Sequence, residues 1–185
     1  ELTNKEIYLN DIKKISTLII KMQNPDGGFN IGYNFNFGTK LVKKSNKEST
    51  APEMLSLYAL IRANKYLQSN KINHSINSGI KWIQKYTITI EHGILGIPYA
   101  PNTLNDIHII NACSFCLPTL AYFIKKNDTD EKIKLLYNGY INFLYNELES
   151  NDSSNGKYWR YFYRKGQRFE KEIQKNKIDN YHLGQ

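Results

Sequence analysis

Asp179, Tyr181 and His182 form the densest polar group of the chain, within four positions of one another near its end. An imidazole that titrates near neutrality, with a phenol beside it, can abstract and return a proton. Epimerases and polysaccharide lyases do this next to a sugar carboxylate. The same residues also fit a structural account, in which Asp179 caps a helix and His182 packs on the next one. Two more polar groups precede apolar runs: Asp106, His108 and Asn111, and Glu48 with Glu53. Three helix openings thus offer acids, imidazoles or amides, and such convergence marks a candidate site. Among the loop residues, Tyr33, Tyr99, Trp159 and Tyr161 have ring faces that can stack on sugars or simply anchor the loops. Arg160 is the candidate clamp for a carboxylate.

These residues have to be positioned by helices. Ile12, Ile15, Ile19 and Met22 recur at helical spacing, which predicts an amphipathic helix over 4–23, ended by Asn24-Pro25. A long loop over 24–49 follows, with room for a short strand in Asn30–Phe37. Ser49-Thr-Ala-Pro-Glu53 opens a second helix with Thr50 as N-cap and Met54, Leu57, Tyr58 and Ile61 inward. A third helix is expected over 73–86, carrying Ile76, Ile80 and Ile83, and a second loop over 88–105. From Asp106 to Lys125 the sequence is apolar almost all round, as in a helix enclosed on most sides. Pro118 should kink that helix, or mark its first turn if it starts late. A fifth helix is expected over 130–149 with Ile133, Leu136, Tyr137, Tyr140 and Leu144 on one stripe, then a loop over 150–177 and a sixth helix from Ile178.

Three turns combine glycine with an aromatic residue: Gln23-Asn-Pro-Asp-Gly-Gly-Phe29, Gly93-Ile-Leu-Gly-Ile-Pro-Tyr99 and Asn155-Gly-Lys-Tyr-Trp159. Gly28, Gly93 and Gly156 lie 65 and 63 positions apart, a period that suits two helices and their loops. The expected architecture is one all-α domain over 1–185, built from three antiparallel helical hairpins with long Gly/aromatic loops. A hairpin alone cannot bury both its faces, so hairpins stack, and α/α-toroids are built this way. The start at Glu1 without Met and the stop within Asn180–Gln185 lead us to expect a chain truncated at both ends.

Gln23-Asn-Pro-Asp-Gly-Gly-Phe29 resembles the turn that recurs in the terpenoid-cyclase and protein-prenyltransferase toroid superfamily. A more specific likeness joins Ile110-Asn-Ala-Cys113, Gly156-Lys-Tyr-Trp-Arg-Tyr161 and Ile178-Asp-Asn-Tyr-His-Leu-Gly184 to bacterial toroid proteins encoded with exopolysaccharide biosynthesis genes. The resemblance implies a partial α/α-toroid, since such rings commonly have five or six hairpins and this chain supplies three. The Asp-rich general-acid motif of terpene cyclases is absent, which argues against that chemistry. Some toroid enzymes hold a catalytic zinc through Cys and His, and Cys113-Ser-Phe-Cys116 with His108 or His182 resembles such a set. The two thiols also admit a redox reading, which needs a strand-to-helix junction, and a reading as small buried hydrophobes, reduced in the cytoplasm.

Composition limits the rest. A chain of 185 residues with 41% hydrophobic content can bury a core. No apolar run is long enough to span a membrane, and no signal-peptide pattern is visible in this sequence. The formal charge of +8 comes mostly from scattered Lys, a pattern of solvated helix faces, so nucleic acid is not the expected partner. No Gly-x-Gly-x-x-Gly, Walker loop, Ser elbow or His-Glu-x-x-His occurs, and no cofactor is expected. The reading that joins these strands is a cytoplasmic, carbohydrate-handling protein that modifies or binds a bacterial polysaccharide at the loop ends of its inner helices. If it is catalytic, the classes are epimerase, lyase or hydrolase, with His182 and Tyr181 as the proton-transfer pair and Asp179, His108 and Glu53 in support. Tyr33, Tyr99, Asn111, Trp159, Arg160 and Tyr161 would hold the sugar. The rivals are a non-catalytic module presenting a concave helical arc to a protein partner or a second copy, and a zinc enzyme using Cys113 and Cys116.

Overall fold

A computed structural model describes residues 6–30, 32, 35–36, 42–43, 48–102, 109–126, 130–151 and 156–159. They form helices α1 (Glu6–Lys21), α2 (Leu55–Leu67), α3 (Asn70–Tyr86), α4 (Leu117–Lys126) and α5 (Glu131–Asn146), with 3-10 turns at Pro52–Met54 and Ile110–Ala112. Among the described residues there are three two-stranded antiparallel ladders, one between α1 and α2, one between α3 and α4 and one after α5. They pair β1 (Phe35–Asn36) with β2 (Val42–Lys43), β3 (Ile88–Glu91) with β4 (Ile94–Gly96), and β5 (Glu149–Asn151) with β6 (Gly156–Tyr158). The protein is mostly helical, as the apolar periodicity predicts. The second and third Gly-aromatic turns, however, are short hairpins rather than open loops. Gly93, at φ +73°, makes the tight turn between β3 and β4. None of the described helices is long and apolar enough to cross a membrane.

α2 is the hub. It packs on α1, α3 and α4, while α5 packs on α4, on β4 and on the Ile110–Ala112 turn. Leu57, Leu60 and Ile61 of α2 are buried in one contiguous cluster with Ile76, Trp82, Ile83, Leu120, Ile133, Tyr140 and Phe143. α2 and α3 are joined by Gln68-Ser69, where Gln68 turns the chain at φ +45° and Asn64 Oδ1 accepts from the Ser69 N–H at 2.7 Å. α3 and α5 share one buried pattern. Ile76-x-x-Gly79-Ile80-x-x-Ile83 and Leu136-x-x-Gly139-Tyr140-x-x-Phe143 lie 60 positions apart and are buried throughout. Each glycine lets a leucine in: a methyl on Gly79 would sit 2.4 Å from Leu57 Cδ2, and one on Gly139 would sit 2.4 Å from Leu95 Cγ.

The structure differs from the sequence expectations in four places. Residues 109–116 are not part of the fourth helix. Pro118 has no N–H to give the Ser114 carbonyl, which instead accepts from Leu117 N at 3.2 Å. The chain reaches α4 through successive i→i+3 turns, Ser114 N to Asn111 O at 3.0 Å and Cys116 N to Cys113 O at 3.1 Å. Pro118 therefore marks the first turn of a late helix. α4 is also less enclosed than its composition implies, since Ala121, Lys125 and Lys126 are exposed. In α1, Ile19 packs against the core and Ile12 is half-buried, but Ile15 and Leu18, and Met22 just after the helix, are exposed. α1 meets α2 and α3 on one flank, and the apolar stripe continues round the helix beyond it. Finally, Ala51 rather than Thr50 stands at the cap position of the Pro52–Met54 turn, and no side chain caps it.

Candidate functional site

The first Gly-aromatic turn is a closed loop held from several sides. Asn24 N donates to Gly28 O at 2.8 Å and Gly27 N to Asn24 O at 2.9 Å, and Gln23 bridges to Phe29. Gly27 has φ +95° and lies so close to α3 that an added methyl would fall 2.3 Å from Ser78 O. Only glycine fits there. Gln23 Nε2 donates to Gly27 O at 2.9 Å and to Ser75 O of α3 at 2.8 Å.

Asp26 is the centre of this turn. Its Oδ1 accepts from Gly28 N at 2.9 Å and Ser49 Oγ at 2.8 Å, and its Oδ2 from Trp82 Nε1 at 3.1 Å and Asn102 Nδ2 at 3.5 Å. Tyr86 OH donates to Asn102 Oδ1 at 2.8 Å, and the Tyr86 ring lies 5.1 Å from the Trp82 ring. Asn24 Nδ2 donates to Ser49 Oγ at 2.8 Å. One carboxylate thus ties the first turn, the chain entering α2, helix α3 and the second loop together. The motif that carries the family resemblance acts here as a brace.

The brace fixes the opening of α2. Glu48, Ser49, Thr50 and Ala51 are all buried, and Ala51 N donates to Tyr99 O at 2.9 Å. The second loop is thereby joined to the start of the second helix, two residues from Glu53. Glu53 is half-buried, and Thr50 Oγ1 donates to its Oε2. Burial pushes the Glu53 carboxyl above its ordinary value, against smaller opposing effects from the Thr50 hydroxyl and the Glu53 backbone. A desolvated carboxyl of this kind is a candidate general acid or base.

The other candidates are dispersed. Asn111 is buried in a 3-10 turn that packs on α5, and its carbonyl accepts from Ser114 N at 3.0 Å and Ser114 Oγ at 2.7 Å. Tyr99 and Trp159 are partly buried against the core, and Trp159 Nε1 donates to Leu144 O at 2.7 Å, so the third hairpin is anchored on α5. Cys113 and Cys116 are fully buried. Burial pushes the Cys113 thiol up to about 12, the Ile97 backbone opposing, and raises Cys116 well above the thiol range. Thiolates, not thiols, bind metal, and the described residues contain no group of three His, Cys, Asp or Glu placed to hold an ion. Tyr33, Asp106, His108, Arg160, Tyr161, Asp179, Tyr181 and His182 lie outside the described residues.

Sequence reasoning missed the Asp26 brace. A Trp beside the Ile76, Ile80 and Ile83 stripe of α3 and an Asp in the glycine turn were its two available signals, and only folding shows that they meet. No protein-family model matches the chain, and no curated protein matches it.

Proposed function

We propose that this protein handles a bacterial polysaccharide in the cytoplasm, at the loop ends of the inner helices of a partial α/α-toroid. The observation that carries the reading is Glu53: a desolvated carboxyl at the opening of α2, tied through Thr50 and Ala51 to the loop that holds Tyr99. A carboxyl with a raised pKa exchanges protons nearer neutrality than an exposed one, and Tyr99, whose carbonyl is joined to Ala51, offers an aromatic face that can stack on a sugar. His182, Tyr181 and Asp179 remain the proposed partners in proton transfer, with Arg160 on the substrate carboxylate.

Affinity electrophoresis through gels containing polygalacturonate or dextran tests binding. Ultraviolet absorbance of unsaturated products tests lyase activity, and solvent deuterium incorporation tests epimerisation. Wild type should be retarded by at least one polysaccharide, and Tyr99→Ala should weaken this with the fold intact. Glu53→Gln should bind but lose any turnover. Absence of retardation by either polymer would sink the proposal.

A second reading, a module that docks on protein, is favoured by the stripe of Ile15, Leu18 and Met22, which exposes 57%, 59% and 48% of these residues. Light scattering that shows a concentration-dependent dimer, dispersed by Leu18→Lys, would favour it.

A further inference from the structure

The flanks of α2 and α4 carry aromatic rings and cations and no acid; Tyr58, expected inward with Leu57, is only half-buried, and Tyr122 is half-buried with part of its ring against the core. Along α2, Tyr58, Arg62 and Tyr66 follow at four-residue steps, so they share one side of the helix. Arg62 Nη1 donates to Tyr58 OH at 3.4 Å, and the Arg62 guanidinium carbon lies 5.9 Å from the Tyr58 ring centroid. Lys65 crosses to α4, with Nζ 5.7 Å from the Tyr122 ring centroid. Lys125 follows Tyr122 by three positions and is exposed, as are Arg62, Lys65 and Tyr66. Neither α2 (LSLYALIRANKYL) nor α4 (LPTLAYFIKK) contains an Asp or Glu. The carboxyl nearest α2 in sequence, Glu53, already has its own partner in Thr50, and the acids nearest α4, Asp128 and Asp130, come after its last residue.

We propose that this two-helix face binds an acidic polysaccharide, with Arg62, Lys65 and Lys125 meeting sugar carboxylates and Tyr58, Tyr66 and Tyr122 meeting the rings and hydroxyls. The inference rests on the glycan reading above and adds the charge class of the polymer and a second place where it is held. Tyr58 to Tyr66 spans about 12 Å of helix axis, enough for a run of sugars rather than a single ring. The Tyr58 and Tyr122 rings already have their own cations beside them. The exposed members are Arg62, Lys65, Tyr66 and Lys125, and their charge suits a uronic-acid chain better than stacked bases, since base binding needs open ring faces. Arg62 is pre-oriented by Tyr58, so little ordering is lost when it grips a carboxylate.

The test is affinity electrophoresis against polygalacturonate and against neutral dextran, with anisotropy of a labelled oligothymidylate alongside. Polygalacturonate should retard the wild type, dextran less, and added salt should weaken the effect. Arg62→Ala with Lys65→Ala should bind polygalacturonate about tenfold more weakly, about 1.4 kcal/mol, and Tyr66→Ser should also weaken it. Lys71→Ala with Lys81→Ala, which removes equal charge from the exposed side of α3, should leave binding unchanged. Equal losses in both double variants would reduce the effect to net charge and overturn the site. Tighter binding of oligothymidylate than of polygalacturonate would overturn the ligand. Retardation by dextran alone would refute the acidic polymer and leave the glycan reading standing, whereas retardation by neither would end both.

Discussion

Trp82 Nε1 donates to Asp26 Oδ2 at 3.1 Å across 56 positions of chain, and this bond links the first turn to helix α3. Trp82 is fully buried, so its N–H has no water to fall back on. Asp26 also holds Ser49 and Gly28, and the opening of α2, with Glu53 on it, depends on where Ser49 stands.

Asp26→Ala should therefore cost more than an exposed turn residue, about 2–3 kcal/mol in urea unfolding, because several donors lose one acceptor together. Trp82→Phe should cost less, since it keeps most of the packing and removes one donor. The double variant should fall short of the sum, a coupling that unlinked sites do not show. Additive losses would mean that the bond contributes nothing.

Glycine on a helix normally weakens it, so Ala at Gly79 should gain about 1 kcal/mol from propensity alone. Here we expect a loss. A methyl 2.4 Å from Leu57 Cδ2 overpacks a site where Leu57 is fully buried among core neighbours, at a cost of about 1–3 kcal/mol. Gly139→Ala should be milder, because Leu95, against which it would press, is only partly buried at the hairpin. Thermal melts of the two variants check the order. Gly79→Ala combined with Leu57→Val should recover part of the loss.

The helices were legible because apolar residues at spacings of three and four must face a common core, and Ile76, Ile80, Ile83, Ile133, Leu136 and Tyr140 do so. The flank of a helix that meets no neighbour leaves no such mark, which is why Ile15 and Met22 looked like core and are exposed. The start of α4 was obscured because Ile109 to Cys116 is apolar enough for a helix, yet its turns close at i→i+3 ahead of Pro118. At the site, Glu53 was visible as an acid at a helix opening. Its desolvation was not, since that depends on elements far away in sequence. Tyr58, expected inward, stands four positions from the exposed Arg62, and the meeting of Lys65 with Tyr122 required the packing of α2 on α4.

Cys113 and Cys116 should react with a thiol reagent such as DTNB only when the protein unfolds. Burial raises both thiols and also Tyr140, so all three stay protonated in the fold. Once the pH exceeds the ordinary thiol range, the unfolded chain can release protons that the folded chain retains. The stability these groups contribute is complete below about pH 9 and is lost as pH rises toward the folded values, by about 1.4 kcal/mol per pH unit for Cys113 alone. Cys113→Ala should flatten that alkaline slope. Rapid labelling of the native protein at neutral pH would contradict the burial.

Glu53 should give a pH dependence in another window, with the same sign and the opposite practical use. Its folded carboxyl is raised above the unfolded one, so its contribution is complete below the ordinary carboxylate range and is lost as pH rises through the raised value. Glu53→Gln keeps an oxygen to accept from Thr50 and has no charge to desolvate. The variant should gain stability over wild type as pH climbs from about 4 to 7, while losing any proton-transfer activity. Thr50→Val removes the bond that favours the charged form and should shift the wild-type curve to higher pH. Urea midpoints across that range, with carboxyl carbon NMR of Glu53, decide the matter. Parallel curves for Glu53 and its Gln variant would mean that the carboxyl titrates as though exposed, and the site at the opening of α2 would lose its chemical argument.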